Sequence, residues 1–333
     1  MKAFVTGGSG FVGRNLIRHL RSRGDEVRAL ARSAAAVQAV TALGAVAVEG
    51  DLDSIEAMRA GMAGCDTVFH AAALAAEWGP REAFQRINVD GTRHALEAAR
   101  AAGAKCFVHV GTEAALCDGS PLLDVNESRP LPEAPLHRYP RTKNQAERLV
   151  RAANAPGFRT VVVRPRFIWG NDDTSVLAAL AAAVKAGRFM WMDGGRYPTS
   201  TAHVDNVCEG LLLAAGKGRG GEAYFIADGA PVELRDFVTR MLATRGVDPG
   251  DKSVPKWLAL CIAFACEFIW EIFAPFGLDS EPPVTRMAVH LFGEPVTVND
   301  AKARRELGYV GKVTREQGLA GLCHAGESRH PGP

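Results

Sequence analysis

The chain has 333 residues, of which 47% are hydrophobic and 23% are charged, and its formal net charge is +2. This composition is typical of a soluble globular protein with a large core and two domains or lobes. The small charge and the lack of basic clusters interleaved with aromatics argue against nucleic acid as a partner. Seven cysteines without a CxxC pair predict core residues or free thiols, and neither a disulfide framework nor a metal site.

A glycine-rich turn between a predicted strand and a predicted helix opens the chain. Residues 3–6 are a short apolar run, and a helical period of apolar residues begins at Phe11. Gly7, Gly10 and Gly13 lie at the junction at three-residue spacing. Strand, glycine turn and helix form the context of a dinucleotide-binding fingerprint, in which the helix N-terminus faces the pyrophosphate. Because the first strand starts at residue 2 or 3, we expect no signal peptide and a cytoplasmic location.

The end of the second predicted strand bears on cofactor choice. Residues 26–31 predict this strand, and Arg32 follows it. Folds of this type place an acidic residue here to bind the ribose 2′-hydroxyl of NAD. A guanidinium instead suits a 2′-phosphate, which it binds through two parallel hydrogen bonds. We therefore expect NADP(H) to be preferred, with NAD(H) as the alternative if Arg32 is only a solvated surface charge.

Four more strands follow with helices between them, at residues 45–48, 67–70, 106–110 and 160–164. This alternation predicts a Rossmann-like α/β fold, a doubly wound parallel sheet with helices on both faces. We expect an NADP-binding domain over residues 1–165, a smaller mixed substrate-binding lobe over 166–322 with segments that return to the sheet, and a disordered tail over 323–333.

A tyrosine and a lysine four residues apart provide a candidate proton-transfer group. Tyr139 and Lys143 fall on one face of a predicted helix. A tyrosine with its ordinary pKa of about 10 is a poor acid–base catalyst at neutral pH. A nearby ammonium group is expected to lower that pKa, which suits general acid–base catalysis. Thr112, at the end of the strand over residues 106–110, could donate a hydrogen bond to a substrate oxygen.

The chain resembles the extended short-chain dehydrogenases/reductases. The matching segments keep the family's order and spacing through the first half of the chain: Thr6-Gly7-Gly8-Ser9-Gly10-Phe11-Val12-Gly13, Gly50-Asp51-Leu52, His70-Ala71-Ala72, Asn88-Val89-Asp90-Gly91-Thr92, Thr112, Tyr139 through Lys143, and Arg164-Pro165. One departure is Gly111-Thr112, where the family more often has two hydroxyl residues. The substitution removes a secondary hydroxyl and keeps the catalytic one.

The resemblance implies a role for each matched residue. Tyr139 would be the catalytic acid/base, Lys143 would bind the nicotinamide ribose and tune Tyr139, and Thr112 would orient the carbonyl or hydroxyl. Asn88 would support the proton relay, while Asp51 and Leu52 would border the adenine. The cofactor-binding residues would be Gly7, Ser9, Gly10, Phe11, Val12, Gly13, Arg32, Asp51, Leu52, His70, Ala71, Ala72, Lys143 and Pro165. A homodimer through helices near residues 80–102 and 139–153 is an expectation by the same analogy.

The C-terminal half resembles the 3β-hydroxysteroid dehydrogenase/isomerase branch of that family. The branch includes sterol-4-carboxylate 3-dehydrogenases and bacterial reductases of long-chain 2-alkyl-3-keto acids. Its segment similar to His203-Val204-Asp205-Asn206 helps to tie the C-terminal lobe to the cofactor domain. We therefore interpret His203 and Asp205 as structural residues.

Residues 257–274 are apolar almost all round, with Glu267 and Glu271 one turn apart. The two carboxylates disfavour a membrane-spanning helix. The segment could cover the substrate cavity and serve packing or dimerisation. It could instead lie in a membrane interface, as a peripheral contact, although such helices favour Lys and Arg on the polar face. We favour the first interpretation, and both point to an apolar substrate.

The resulting hypothesis is an NAD(P)-dependent oxidoreductase that interconverts a secondary alcohol and a ketone on a large apolar substrate, sterol-like or a long-chain 3-keto acid. Two alternatives stay open. A nucleotide-sugar epimerase or dehydratase would typically hold NAD tightly and would need polar and basic groups for the diphosphate. A non-catalytic NADP-binding sensor would commonly lack the tyrosine or the lysine.

Overall fold

A computed structural model describes residues 1–174, 176–273 and 280–327. The strands are β1 (Lys2–Thr6), β2 (Glu26–Ala31), β3 (Val46–Glu49), β4 (Thr67–His70), β5 (Cys106–Val110), β6 (Leu122–Val125), β7 (Arg159–Pro165), β8 (Ile168–Trp169), β9 (Trp191–Met192), β10 (Pro198–Thr199), β11 (Ala202–His203), β12 (Ala223–Ile226), β13 (Val232–Glu233), β14 (Ser253–Val254) and β15 (Val296–Val298).

The helices are α1 (Phe11–Ser22), α2 (Ala34–Ala42), α3 (Ile55–Met62), α4 (Arg81–Phe84), α5 (Gly91–Ala101), α6 (Arg138–Ala152), α7 (Val176–Lys185), α8 (Val204–Lys217), α9 (Leu234–Ala243), α10 (Lys256–Phe273), α11 (Arg286–Phe292), α12 (Ala301–Leu307) and α13 (Arg315–Glu327). A π-helical segment, Gln85–Asp90, joins α4 to α5, and 3₁₀ turns lie at Glu113–Leu116 and Asp193–Gly195.

Seven parallel strands form the central sheet in the order β3-β2-β1-β4-β5-β7-β12. The chain runs outward from β1 to β3 and then returns to place β4 on the other side of β1. The carboxyl ends of β1 and β4 therefore border the crevice in which doubly wound sheets bind their ligands. The predicted Rossmann-like fold is confirmed.

Both faces of the sheet are covered by helices with apolar inner faces. On one face, Leu16 and Leu20 of α1 pack in the same cluster as Leu211 of α8. On the other, Met58 of α3 and Val150 of α6 belong to a second cluster that includes residues of α5. Burial on both faces explains why the strands read as continuous apolar runs in the sequence.

The second half of the chain returns to this sheet. Strand β12 pairs in parallel with β7, and α8 packs on the sheet beside α1. His19 of α1 contacts Asp205 of α8 at 2.8 Å, while the ring of His203 packs edge-on against Trp169. These contacts support the structural interpretation of His203 and Asp205.

The remaining C-terminal segments form a smaller lobe. Its four-stranded sheet has the order β13-β10-β15-β6, and an aromatic cluster that includes Phe167, Trp169, Trp191 and Phe237 fills its core. The lobe ends with α13, which includes residues 323–327 of the predicted tail. Residues 328–333 lie outside the described residues.

Two predicted helices differ in detail. The predicted helix over residues 80–102 is confirmed, but its middle is the π-helical segment that contains Asn88. The apolar segment forms α10 over Lys256–Phe273, and residue 274 lies outside the described part. Among the helices that the structure describes, none is long and apolar enough to cross a bilayer.

Candidate active site

The glycine turn lies at the carboxyl end of β1, at the crevice between β1 and β4. Gly7 has a φ of +69°, and a Cβ there would lie 2.6 Å from the backbone nitrogen of Ala72. A Cβ on Gly13 would lie 2.0 Å from the carbonyl oxygen of Gly7. The turn can therefore pack against both α1 and the Ala71-Ala72 segment only because these positions are glycine.

The outer side of the same turn is open. A Cβ on Gly10 would meet only the Gly7 carbonyl oxygen, at 3.2 Å. Gly10 is also the N-cap of α1, which has no side-chain cap and no acidic residue in its first turn. The free N–H groups beginning at Phe11 and Val12, with Ser9 half-buried beside them, suit a pyrophosphate. The residues present thus fit a dinucleotide at this turn.

His70 ends β4, and its side chain is fully buried. Its Nε2 lies 3.0 Å from the Thr92 hydroxyl, which donates to the Asn88 carbonyl. His70 Nε2 must therefore carry a proton, and Nδ1 accepts from Thr6 at 2.8 Å. Both ring nitrogens are therefore used inside the fold, and the assignment of His70 to the cofactor site stays a prediction. The following Ala71 and Ala72 are half-buried at the strand end, where we predicted them.

The predicted adenine side lies at the ends of β2 and β3. The Ser54 hydroxyl donates to Asp51 at 2.8 Å and lowers the pKa of this exposed carboxyl. Leu52 is half-buried beside Gly91. Arg32 is exposed directly after β2, whereas Arg28 donates to the carbonyl oxygens of two residues at the end of α3. Arg28 is therefore a structural cation, and Arg32 remains the candidate for a 2′-phosphate.

Helix α6 brings the predicted proton-transfer residues to the carboxyl end of β5. Tyr139 lies in its first turn, and a hydrogen bond joins the phenol to Thr112. Lys143, one turn later, is 2% exposed. Its Nζ donates to the Val110 carbonyl at 2.7 Å and contacts His109 Nε2 at 3.3 Å. Burial lowers the pKa of Lys143 to about 8, opposed by the negative charge of Glu147.

The direction of the Tyr139 shift corrects the prediction made from the sequence. Burial raises the pKa of Tyr139 above its ordinary value, the charge of Glu113 raises it further, and the hydrogen bond to Thr112 lowers it. The Lys143 ammonium donates to the Val110 carbonyl and contacts His109. The phenol is therefore held in its acid form.

Glu113 and Arg166 are buried beside this pair and were missed in the sequence. The two side chains form an ion pair at 2.8 Å, with each side chain 4% exposed. Their positions follow from topology, because β5 and β7 are neighbours and both residues come just after the ends of these strands. The sequence did contain a signal for this ion pair, because a charged residue directly follows Thr112 and another directly follows Pro165 at the ends of two strands.

The ion pair bears on the role expected for Thr112. Its hydroxyl has a single proton and donates it to Glu113 Oε2 at 2.8 Å, while it accepts from the backbone of Ala114. A carboxylate held by a guanidinium can only accept. In this arrangement the Thr112 hydroxyl donates to Glu113, and its role in orienting a substrate oxygen stays a prediction.

Asn88 lies in the π-helical segment and is 1% exposed. Its side-chain oxygen accepts from the backbone of Leu74, and its amide donates to Leu74 and to the Thr142 hydroxyl at 3.0 Å. Asn88 therefore ties the segment after β4 to α6, one residue before Lys143. Its side chain therefore holds the start of α6 in place. The side-chain hydrogen bonds that the structure describes for Asn88 go to Leu74 and Thr142, and not to Tyr139 or Lys143.

Two buried histidines predict a loss of stability in acid. Burial lowers the pKa of His70 to about 3 and that of His109 well below its usual value, and the Lys143 charge lowers both further. Between pH 6.5 and 3 these histidines are protonated in the unfolded chain but stay neutral in the native protein. The free energy of unfolding therefore falls as the pH falls. At pH 5.0 His70 alone should lower the free energy of unfolding by about 2 kcal/mol. Urea unfolding at pH 7.5 and 5.0 measures this loss, and equal stabilities would contradict it.

Comparison with known proteins identifies the family of the chain. The 3-beta hydroxysteroid dehydrogenase/isomerase family matches residues 4–256. The chain is 55% identical over 326 residues to the 4-hydroxy-2-methyl-3-oxo-4-farnesyl-3,4-dihydroquinoline-1-oxide ketoreductase of Stigmatella aurantiaca, covering 98% of this chain and 97% of the relative. It is 34% identical to the 2-alkyl-3-oxoalkanoate reductase of Stenotrophomonas maltophilia, with coverage of 97% and 98%.

The fold also has solved counterparts. The dTDP-glucose 4,6-dehydratase of Streptomyces venezuelae superposes with a TM-score of 0.76 over 99% of this chain and 98% of that one, at 22% identity. This likeness concerns the fold. The family match and the alignments with both relatives include the elements that carry Thr112, Tyr139 and Lys143. The chain therefore belongs to the 3-beta hydroxysteroid dehydrogenase/isomerase family, among the extended short-chain dehydrogenases/reductases, and is an oxidoreductase that acts on CH–OH groups.

Proposed function

We propose that the chain is an NADP(H)-dependent ketoreductase that interconverts a ketone and a secondary alcohol on a large apolar substrate. The observation that carries the proposal is the convergence of Thr112, Tyr139 and Lys143 at the end of β5, beside a glycine turn that fits a dinucleotide. The names of the relatives support it, since one reduces a farnesylated quinoline oxide and another a 2-alkyl-3-oxoalkanoate. A sterol-like or long-chain 3-keto substrate fits both.

In this proposal Tyr139 is the proton donor for ketone reduction. When bound, the reduced nicotinamide supplies a hydride to the carbonyl carbon. Tyr139 gives its phenolic proton to the carbonyl oxygen, and in alcohol oxidation the phenolate takes the proton back. The acid form is the one that burial and Glu113 favour. Thr112, which is hydrogen-bonded to the phenol, orients the reacting oxygen beside Tyr139.

Lys143 and Asn88 support this step without donating the proton. In this proposal Lys143 binds the nicotinamide ribose and returns protons to Tyr139. Its contacts with Val110 and His109 hold it one helical turn after Tyr139. Asn88 keeps α6 in place through Thr142. Because Lys143 has a pKa of about 8, its charge can change near neutral pH as groups bind around it.

Helix α11 borders the proposed reacting centre. Arg166 donates to the carbonyl oxygen of Leu291, near the end of α11, and the Phe292 ring packs edge-on to Phe167. His137, two residues before Tyr139, packs against His290 of the same helix, with ring centroids 5.3 Å apart. Helix α11 therefore brings both aromatic and polar side chains to the substrate side of the proposed reacting centre.

The direct test is the absorbance of reduced nicotinamide in the presence of purified protein. NADPH or NADH is mixed with 3-ketosteroids, 2-alkyl-3-keto acids, prenylated cyclic ketones and small aldehydes. We expect NADPH oxidation with a large apolar ketone and little with small aldehydes. Exchange of sugar-nucleotide epimers without net cofactor change would instead favour an epimerase, and cofactor binding without any turnover would favour a sensor.

Arg32 gives a separate prediction about cofactor choice. Replacing Arg32 by alanine should weaken NADPH binding by about 10–100-fold, because a charge-assisted hydrogen bond contributes about 1.5–3 kcal/mol. NADH binding should stay within about twofold, since its ribose lacks the phosphate. Titration of both cofactors by fluorescence measures the ratio. Arg28→Gln, which removes a structural cation from the same strand, is the control that should leave the ratio unchanged.

A further inference from the structure

A series of hydrogen bonds crosses the site from the C-terminal lobe to the phenol. Arg166 donates through Nη2 to the carbonyl oxygen of Leu291 at 2.6 Å and through Nη1 to Glu113 Oε1 at 2.8 Å. Glu113 Oε2 accepts from the Thr112 hydroxyl at 2.8 Å, and a further hydrogen bond joins Thr112 to Tyr139. Helix α11 is therefore connected, through one buried ion pair, to the phenol that we propose as the proton donor.

The backbone directly after Arg166 has an unusual conformation. Phe167 has a φ of +44°, in the left-handed region that a bulky residue rarely occupies. Its ring is buried and packs edge-on against Phe237 and Phe292, with ring centroids 5.7 and 5.8 Å apart. Backbone strain of this kind persists only where the surrounding packing holds it, and it is concentrated at functional sites. The packed turn between β7 and β8 thus fixes the backbone from which the Arg166 side chain reaches Glu113.

Stability alone is a poor explanation for this ion pair. Both side chains are buried, so each charge loses its hydration, and replacing such a pair by apolar residues is often neutral or stabilising. The Nε of Arg166 is also buried, with no hydrogen-bond partner among the residues that the structure describes, which adds a further cost. Two desolvated charges and an unpaired donor beside the reacting groups point to a role in the site.

The group that the ion pair orients is the Thr112 hydroxyl. Thr112 Oγ1 donates to Glu113 and accepts from the backbone N–H of Ala114 at 3.2 Å. A threonine hydroxyl without a fixed acceptor can rotate, and its side chain has more than one staggered position. Because Arg166 holds the Glu113 carboxylate, the acceptor is fixed. The ion pair therefore selects one orientation for the hydroxyl that is bonded to Tyr139.

We propose that Glu113 and Arg166 are positioning residues of the reductase site. Their ion pair transmits the position of α11 to the Thr112 hydroxyl and so holds Thr112 and Tyr139 in the geometry that receives the substrate oxygen. Neither residue of the pair takes part in proton transfer. This role rests on the proposed reductase function, because it requires that the substrate oxygen lies beside Tyr139.

A double variant without either charge separates positioning from folding. Glu113→Leu or Arg166→Met alone leaves a buried charge unpaired and should lower the urea midpoint strongly, whereas Glu113→Leu/Arg166→Met should unfold near the midpoint of the parent. The double variant should lower kcat for ketone reduction by about 10–100-fold, because small errors of position cost that much. Its NADPH affinity should stay within about twofold, since the pair acts on the geometry of the reacting oxygen.

Glu113→Gln/Arg166→Met is the conservative comparison. The glutamine oxygen can still accept from the Thr112 hydroxyl, so kcat should be about fivefold higher than in Glu113→Leu/Arg166→Met. An ion pair with a merely structural role would give the two double variants equal kcat at equal stability. Arg166→Lys keeps the charge but loses the planar fork that reaches both Glu113 and the Leu291 carbonyl, so kcat should fall about tenfold.

A matched control is the ion pair of Lys302 with Glu222, at 2.6 Å, in which Lys302 also donates to the Ala223 carbonyl oxygen at 3.0 Å. This pair joins α12 to the edge strand β12. Glu222→Gln/Lys302→Met should therefore leave kcat within about twofold of the parent.

The kinetic outcomes distinguish this role from the proposed function. Parent-like kcat in Glu113→Leu/Arg166→Met would overturn the positioning role alone. If that variant did not fold, parent-like kcat in both Glu113→Gln/Arg166→Met and Arg166→Lys would overturn it. A parent protein that reduces no ketone of the panel would instead overturn the proposed function, and this role with it.

Discussion

Tyr139→Phe is expected to lower kcat/KM for ketone reduction by about 10²–10⁴-fold, because it removes the proton donor. NADPH affinity should stay within about twofold, since the phenol is proposed to bind the substrate oxygen and not the cofactor. The measurement is NADPH oxidation with the best ketone of the panel, together with a fluorescence titration of the cofactor. Retention of a tenth or more of the activity would contradict the assigned role.

A matched control separates catalysis from the loss of any buried phenol. Tyr309 is 2% exposed, and its hydroxyl donates to the Ala227 carbonyl at 2.8 Å, far along the chain from the proposed reacting groups. Tyr309→Phe should lower stability by about 1 kcal/mol, the net contribution of one hydrogen bond, and leave kcat nearly unchanged. If both variants lost activity equally, the effect of Tyr139→Phe would have to be structural.

Gly13→Ala is expected to have the largest effect on the cofactor turn. The added Cβ would lie 2.0 Å from the Gly7 carbonyl oxygen and 2.7 Å from the Gly8 Cα, and both obstacles are backbone atoms. Either α1 or the turn must shift, so we expect a loss of several kcal/mol of stability and of measurable cofactor binding. Thermal unfolding and cofactor titration measure the two effects.

Two further substitutions separate a steric clash within the fold from a block of the cofactor's approach to the turn. Gly10→Ala meets only one atom, at 3.2 Å, so it should fold normally and weaken cofactor binding by occupying the open side of the turn. Gly216→Ala, in α8, meets nothing within 4 Å and should be neutral or slightly stabilising. Normal cofactor affinity in Gly10→Ala would show that the dinucleotide does not approach the turn there.

The elements of the sheet were predictable because local and global signals agree. Strands such as Cys106–Val110 and Arg159–Pro165 are buried on both faces and read as apolar runs, and glycines mark the ends of the helices between them. Strand β12 was missed because four residues, Ala223–Ile226, in the middle of the second lobe carry no local sign that they extend a sheet begun much earlier.

The site was predictable as far as its residues follow a spacing rule. Tyr139 and Lys143 share a helix face, and Thr112 ends a central strand. The sequence could not show that Lys143 would donate to the Val110 carbonyl, or that Glu113 would accept a hydrogen bond from the Thr112 hydroxyl. These outcomes depend on side-chain directions and on Arg166, which is distant in sequence and adjacent only through the β5–β7 pairing.

The buried side of α10 could not be predicted for a similar reason. The sequence gives the angular positions of Glu267 and Glu271 but not which half of the helix faces the protein. With apolar residues on nearly every side, the small residues Ala259 and Ala263 determine the buried half, because they allow the close approach that lets Glu267 reach Arg286.

The central claim is tested most directly by following a deuterium atom. NADPH that carries two deuterium atoms at carbon 4 is incubated with the protein and the best apolar ketone, and the product alcohol is analysed by mass spectrometry and NMR. The account predicts one deuterium on the carbinol carbon in the parent protein and none above background in Tyr139→Phe. An unlabelled product, or label transfer that does not require Tyr139, would contradict it.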